Sequence, residues 1–317
     1  MTPRLDAATR PAGREGAPTC PTGPVGAAGG DGPAMGRRAT TVVRRPLGPC
    51  RHAPVLLLHG VCSTGPTLDP LAQAFRHGGR TVRAPMLCAS ARSEAGVRSG
   101  AIARLTLDAL LDDARRHARA LRTEMGCSPV VVGHSNGALL ALALAAAGDA
   151  SGVTLIAPAP PPSVRGAPVW LRRLLFARVF GHRWEGRAIR FDPGWPFASE
   201  RPLSETLRTL CPDSGPAMAQ AMAPDRGSVF DRVSPLPCPA LVVAGGHDRL
   251  VPPALARGVA RALSAAFVLR AGSGHWLVTD RSEAQAICAA TLAQLHVDGN
   301  CRAPSSRGRE TIDRVPL

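Results

Sequence analysis

The sequence predicts an α/β fold: a mostly parallel central sheet with helices on both faces. Three observations carry this. Short apolar runs rich in β-branched residues alternate with helix-period segments from about residue 40 to residue 297. The runs are continuously apolar rather than alternating, as strands covered on both faces are. The alternation stops after residue 158 and resumes at 239, so a helical lid is expected as an insertion over about 159–232 of a domain spanning 39–297.

Each element has a local reason. "ATTVV" (39–43), "PVLLLHG" (54–60) and "TVRAPML" (81–87) read as the first strands. Over 106–125, Leu107, Leu110, Leu111, Ala114, Ala118, Leu121 and Met125 recur at helical spacing, with Thr106 as N-cap and Gly126 as stop. "PVVVG" (129–133) is a buried-type strand, 136–147 an Ala/Leu helix, and "GVTLIAP" (152–158) the next strand. In the insertion, "APVWLRRLLFARVFG" is helical; Trp170, Leu171, Leu174, Leu175 and Val179 form an apolar stripe expected to pack on the domain. Trp184, Phe191, Trp195 and Phe197 add apolar bulk there. The alternation resumes with "PALVVAGG" (239–246), a helix near 253–264, "AFVLRAG" (266–272) and a helix near 281–296.

The flanks read differently. Residues 1–38 and about 298–317 are rich in Pro, Gly, Ala and Arg and are expected to be disordered tails. The N-terminal segment lacks a signal-peptide core, and no run of 18 apolar residues suggests a membrane span, so a cytoplasmic protein without stable membrane insertion is expected. The formal charge of +15 raises the question of a nucleic-acid partner. All the basic residues are Arg and are spread along the chain, and aromatics make up only 3%, so stacking platforms are scarce and no nucleic-acid partner is expected. The nine cysteines are irregularly spaced with no C-x-x-C, which speaks against zinc and dithiol redox motifs.

The chemistry centres on "VVVGHSNGALL" (130–140). Its Gly133-His134-Ser135-Asn136-Gly137 core is a G-x-S-x-G pattern, of which this composition supplies roughly 0.2 matches by chance. The context decides. Ser135 follows a strand and immediately precedes a helix, and in open parallel sheets ligands bind beyond the carboxyl ends of strands. A side chain at 133 or 137 would collide with neighbouring backbone on so sharp a turn. A serine hydroxyl needs a base, and the base needs an orienting group. His275 in "AGSGHW" follows the 266–270 strand, and Asp248 in "AGGHDRLVP" follows the 241–244 strand. The order Ser, Asp, His is the one this strand arrangement requires. His247 precedes the acid, His134 sits within the turn, and His59 closes a strand before Gly60 and shapes its loop. Backbone donors for an oxyanion are expected from Asn136 N–H and, in "LLLHGVCSTGPT", from Val61 N–H, with Cys62, Ser63 and Thr64 lining the cavity.

Together, "HG" after a strand, "GHSNGA", "GGHDRLVP" and "GSGHW" resemble the α/β-hydrolase family of serine esterases over roughly residues 40–297. The resemblance implies Ser135 as nucleophile, Asp248 as acid and His275 as base, with His59, Gly60, Cys62, Gly133, His134, Gly137 and Trp276 at the turn and pocket. It implies hydrolysis of a small to medium, largely apolar carboxylic ester through an acyl-enzyme, without metal or cofactor. Thioesterase, acyltransferase or cofactor-free peroxidase-like chemistry would use the same three residues, and a non-catalytic ligand-binding protein is the reading of another class. Two departures stand out: Asn136 where a small or apolar residue is common, and a short N-terminal hairpin. Relatives that carry aspartate at the turn, the haloalkane dehalogenases and epoxide hydrolases, are disfavoured by Ser135.

Overall fold

The computed structural model describes residues 42–44, 52–161, 164, 169–190, 210–223, 228–230 and 235–295. The two expected tails, and Phe191, Trp195 and Phe197, lie outside these residues. In chain order the elements are β1 (Val42–Arg44), β2 (Val55–Leu58), α1 (Asp69–His77), β3 (Val82–Ala84), α2 (Ala89–Arg92), α3 (Glu94–Arg98), α4 (Leu107–Met125), β4 (Val130–His134), α5 (Asn136–Ala146) and β5 (Gly152–Ile156). Then come α6 (Val169–Phe180), β6 (Ala188–Ile189), β7 (Asp213–Ser214), α7 (Gly215–Met222), β8 (Ala240–Gly245), α8 (Pro253–Ala262), β9 (Ala266–Arg270) and α9 (Arg281–Gln294).

Seven strands form one sheet in the order β1-β3-β2-β4-β5-β8-β9. Six run parallel, and β1 pairs antiparallel with β3 at one edge. The apolar strand runs are explained by two core layers. In β2, Leu56 and Leu58 face one layer with α4, α5, α7 and α8, while Val55 and Leu57 face the other with α1 and α9. All four are at most 1% exposed. Burying a side chain of this size stabilises the fold by about 1.5–3 kcal/mol. Helix α5 is apolar all round because every residue from Asn136 to Ala145 is buried.

Local signals set the ends of α4. Thr106 Oγ1 accepts from Ala109 N–H at 3.1 Å, and Gly126 takes a left-handed φ of 72° while its N–H donates to Arg122 O at 2.8 Å. The third strand is shorter than the expected 81–87: it stops at Ala84 because Pro85 has no N–H for the ladder. Helices α1, α2, α3 and α7 and the β6–β7 ribbon have no counterpart in the sequence reading. Helix α1 carries Pro70 in its first turn and buries Leu71, Ala72, Ala74 and Phe75.

The topology positions a crevice. After β2 the chain moves to β3 on one side, then crosses to β4 on the other. The carboxyl ends of β2 and β4 therefore flank the point where strand order reverses, the place ligands favour in open sheets. Register pairs Leu58 with Gly133, so the loops beginning at His59 and Ser135 leave the sheet side by side. Among the described residues no helix is long and apolar enough to cross a membrane.

Candidate active site

Ser135 sits between β4 and α5 at φ 54° and ψ −118°, a conformation that costs a non-glycine residue about 1–3 kcal/mol. The surroundings hold it there. Ser135 N–H donates to Ile156 O at 2.9 Å, and Ser135 O accepts from Ala138 N–H at 3.0 Å and Ala159 N–H at 3.1 Å. The flanking glycines are required by contact. A Cβ at Gly133 would lie 2.3 Å from Gly137 O, and one at Gly137 would lie 2.3 Å from Leu58 O.

The loops after β8 and β9 bring Asp248 and His275 together. Gly246 N–H donates to Arg270 O at 2.8 Å and His247 N–H to Ser273 O at 2.9 Å, so the two loops lie against each other. That contact needs a bare α-carbon at Gly245, where a Cβ would meet Gly274 O at 2.3 Å. His275 Nδ1 is 2.8 Å from Asp248 Oδ2, and both residues are 3% exposed. Asp248 Oδ1 accepts from the N–H groups of Leu250 and Val251, each at 2.8 Å. The carboxylate only accepts, so Nδ1 of His275 carries a proton, and Nε2 is the nitrogen left for the base role. Ser135 and His275 line the same cavity of about 190 Å³.

Two further buried histidines, His134 and His59, hold backbone near the site. His134 Nε2–H donates to the backbone carbonyl of His275 at 2.9 Å, tying the turn to the His275 loop. Burial, reinforced by the neighbouring His275, pushes its pKa down to about 3, so it stays neutral. His59 donates from Nδ1 to Gly60 O at 3.0 Å and accepts at Nε2 from Leu87 N–H at 3.1 Å. Burial, with Arg92 nearby, lowers its pKa to about 4.

The cavity wall is apolar where α6 and α7 reach it, through Phe176, Phe180, Met218 and Met222, and Trp276 closes another side. Gly60, Val61 and Asn136 form the wall beside Ser135. Asn136 begins α5, so its N–H has no intrahelical acceptor. Its side-chain Oδ1 is buried without a hydrogen-bond partner among the described residues.

Three expectations need correction. Cys62 does not line this cavity; it is fully buried against Phe180, Trp184, Ile189 and Met222. The reason is its backbone, whose N–H donates to Asp213 Oδ2 at 2.8 Å and whose C=O accepts from Cys211 N–H at 2.9 Å. Thr64 also lies off the wall, capping the single turn Gly65–Leu68. On α6, Trp170 and Leu174 are 65% and 53% exposed, while Phe176 and Phe180 turn inward. The helix is apolar on several faces, so spacing alone left its orientation open. Sequence reasoning also missed Arg92 and Asp213, a buried ion pair at 2.8 Å that no motif marks. Among the described residues, no group of three or more His, Cys, Asp or Glu side chains is placed to hold a metal ion.

A family model described as the alpha/beta hydrolase family matches residues 55–290. Among solved structures, the chain is similar to one from the metagenome-derived lipolytic enzymes LipS and LipT, at TM-score 0.56 and 20% identity, covering 82% of this chain and 98% of that one. It is similar to a thermophilic esterase from Thermogutta terrifontis, at TM-score 0.56 and 23% identity over 79% of this chain and 92% of the other. It is also similar to a putative non-heme bromoperoxidase, BpoC, from Mycobacterium tuberculosis H37Rv, at TM-score 0.56 and 18% identity over 83% and 99%. At these identities the likeness is one of fold. No curated protein sequence matches the chain.

Proposed function

This chain belongs to the alpha/beta hydrolase family, and on that premise we propose that it is a serine hydrolase that cleaves carboxylic esters. The observation that carries the reading is the buried Asp248–His275 pair at 2.8 Å opening onto the cavity that Ser135 also lines. His275 Nε2 takes the Ser135 proton as Oγ attacks the ester carbonyl. The tetrahedral oxyanion forms against the N–H groups of Val61 and Asn136. His275 then protonates the departing alcohol, leaving an acyl group on Ser135. Water, deprotonated by the same Nε2, attacks that acyl group; the acid leaves and Ser135 regains its proton.

Asp248 fixes the imidazole tautomer and stabilises the imidazolium that forms, and its own charge is held by the Leu250 and Val251 N–H groups. Phe176, Phe180, Met218 and Met222 favour a small to medium apolar acyl chain. No metal or organic cofactor enters these steps.

A fluorophosphonate probe tests the reading. Wild type is expected to be labelled and to hydrolyse p-nitrophenyl esters; Ser135→Ala is expected to do neither. Absence of labelling on folded wild type would sink the proposal. Running acyl thioesters beside the oxygen esters separates ester hydrolysis from thioester hydrolysis by the same acyl-enzyme.

A further inference from the structure

The turn that follows β2 is held from two directions. Gly60 O accepts from His59 Nδ1–H at 3.0 Å and from Ser63 N–H at 3.2 Å. Cys62, at φ 58°, has its N–H on Asp213 Oδ2 and its C=O on Cys211 N–H. These bonds commit the groups on either side of Val61, a residue of the cavity wall beside Ser135 and Asn136.

The carboxylate that holds Cys62 is itself held. Asp213 Oδ1 accepts from Arg92 Nη2 at 2.8 Å and from Ser214 N–H at 2.7 Å. The Arg92 and Asp213 side chains are 1% and 5% exposed. Arg92 Nε donates to Leu87 O at 2.8 Å, and Leu87 N–H donates to His59 Nε2. The network thus leaves the turn at Cys62 and returns to it at His59. An ion pair buried this deeply is a weak stabilising device, because desolvation offsets its attraction. It is well suited to fixing a geometry, since the two charges lie in contact and both also hold backbone groups of the turn and its neighbours. Arg92 also neutralises a carboxylate that would otherwise stand behind a site of developing negative charge.

We infer that Arg92 and Asp213 form a positioning pair that fixes the Gly60–Cys62 turn and so aims Val61 N–H at the oxyanion. The inference rests on the serine-hydrolase reading above. Neither residue touches substrate; both act through Cys62.

Asp213→Asn tests it, with Arg92→Lys as the second variant. Losing an oxyanion donor outright costs about 100–1,000-fold in kcat, so a displaced donor is expected to cost about 10–100-fold. KM for a p-nitrophenyl ester is expected to hold within about twofold, because the donor acts on the transition state. Affinity for a trifluoromethyl ketone, which forms an oxyanion on the serine, is expected to fall by the same factor as kcat. Arg92→Lys keeps the charge but loses the bond to Leu87 O, and is expected to show a smaller loss with the same KM. A folded Asp213→Asn protein with wild-type kcat, or one whose loss lies in KM, overturns the inference. If Asp213→Asn does not fold, Arg92→Lys decides by the same readout. Wild type and Ser135→Ala are assayed alongside. Inactive wild type removes the hydrolase reading, whereas active wild type with unchanged kcat in the variants removes only the clamp.

Discussion

Gly137→Ala puts the closeness of the Ser135 turn to β2 to a test of sign. Gly137 is the second residue of α5, and helix propensity alone favours Ala over Gly by about 1 kcal/mol. The tertiary structure opposes this. An added Cβ would lie 2.3 Å from Leu58 O, 2.6 Å from His59 O and 2.8 Å from Leu58 C. All three are backbone atoms of β2 and its loop, and β2 is locked between β3 and β4. Relief requires α5 and β2 to part by roughly 1 Å, and overpacking of this kind costs about 1–3 kcal/mol. With the cost at the upper end and the propensity gain subtracted, the net effect is a loss of about 2 kcal/mol. For a chain of this size that lowers Tm by about 3–4 °C. The same movement shifts Ser135 and Asn136, and a misplacement of about 1 Å lowers kcat/KM by up to about 100-fold. Thermal melts and ester hydrolysis measure both effects. Gly272→Ala, where an added Cβ meets nothing within 4 Å, is the control and is expected to stay within about 0.5 kcal/mol of wild type. A Gly137→Ala protein that melts at or above the wild-type temperature with full activity would refute the reasoning.

Three further outcomes are expected. On the proposed mechanism, Asp248→Asn lowers kcat by about 1,000–10,000-fold with little change in KM, because an amide no longer enforces the Nδ1–H tautomer of His275; steady-state ester kinetics measure it. His59 and His134 have pKa values lowered to about 4 and about 3, mainly by burial, from an ordinary 6.5. The unfolded chain therefore binds protons that the folded chain refuses: their effect is absent above pH 6.5, stability falls as pH drops below it, by up to about 3 kcal/mol per pH unit while both groups contribute, and the loss levels off near pH 3. Urea denaturation at pH 7.5, 6 and 5 checks this, and a flat profile contradicts it. Phe176→Ala opens the apolar wall and is expected to favour longer acyl chains, by about fourfold in kcat/KM for each methylene newly buried; a chain-length series of p-nitrophenyl esters reads the change.

Much of the fold was legible because its causes are local. The strands β2, β4, β5 and β8 are apolar runs whose alternate residues enter the two core layers, and β9 is a partly buried apolar run at the sheet edge. Helix α4 has its period, its cap at Thr106 and its stop at Gly126 in a single stretch. The reading fails where local signals are absent or compete. Pro85 ended β3 early, and α7 lies in a proline-rich stretch with no clear period. On α6, several faces are apolar, so only contact with the domain decides that Phe176 and Phe180 turn inward and Trp170 outward.

The sequence by itself determined where Ser135, Asp248 and His275 sit along the chain, because each follows a recognisable strand and lies beside glycines that a sharp turn or close approach demands. Only the tertiary structure decided which atoms meet. It set Asp248 Oδ2 against His275 Nδ1, turned His134 to the His275 carbonyl, and drew Cys62 away from the cavity onto Asp213. It also joined Arg92 to Asp213 across 121 positions of sequence. Periodicity and motif record what a residue does with its near neighbours; a buried charge finds its partner through packing, and packing leaves no spacing to read.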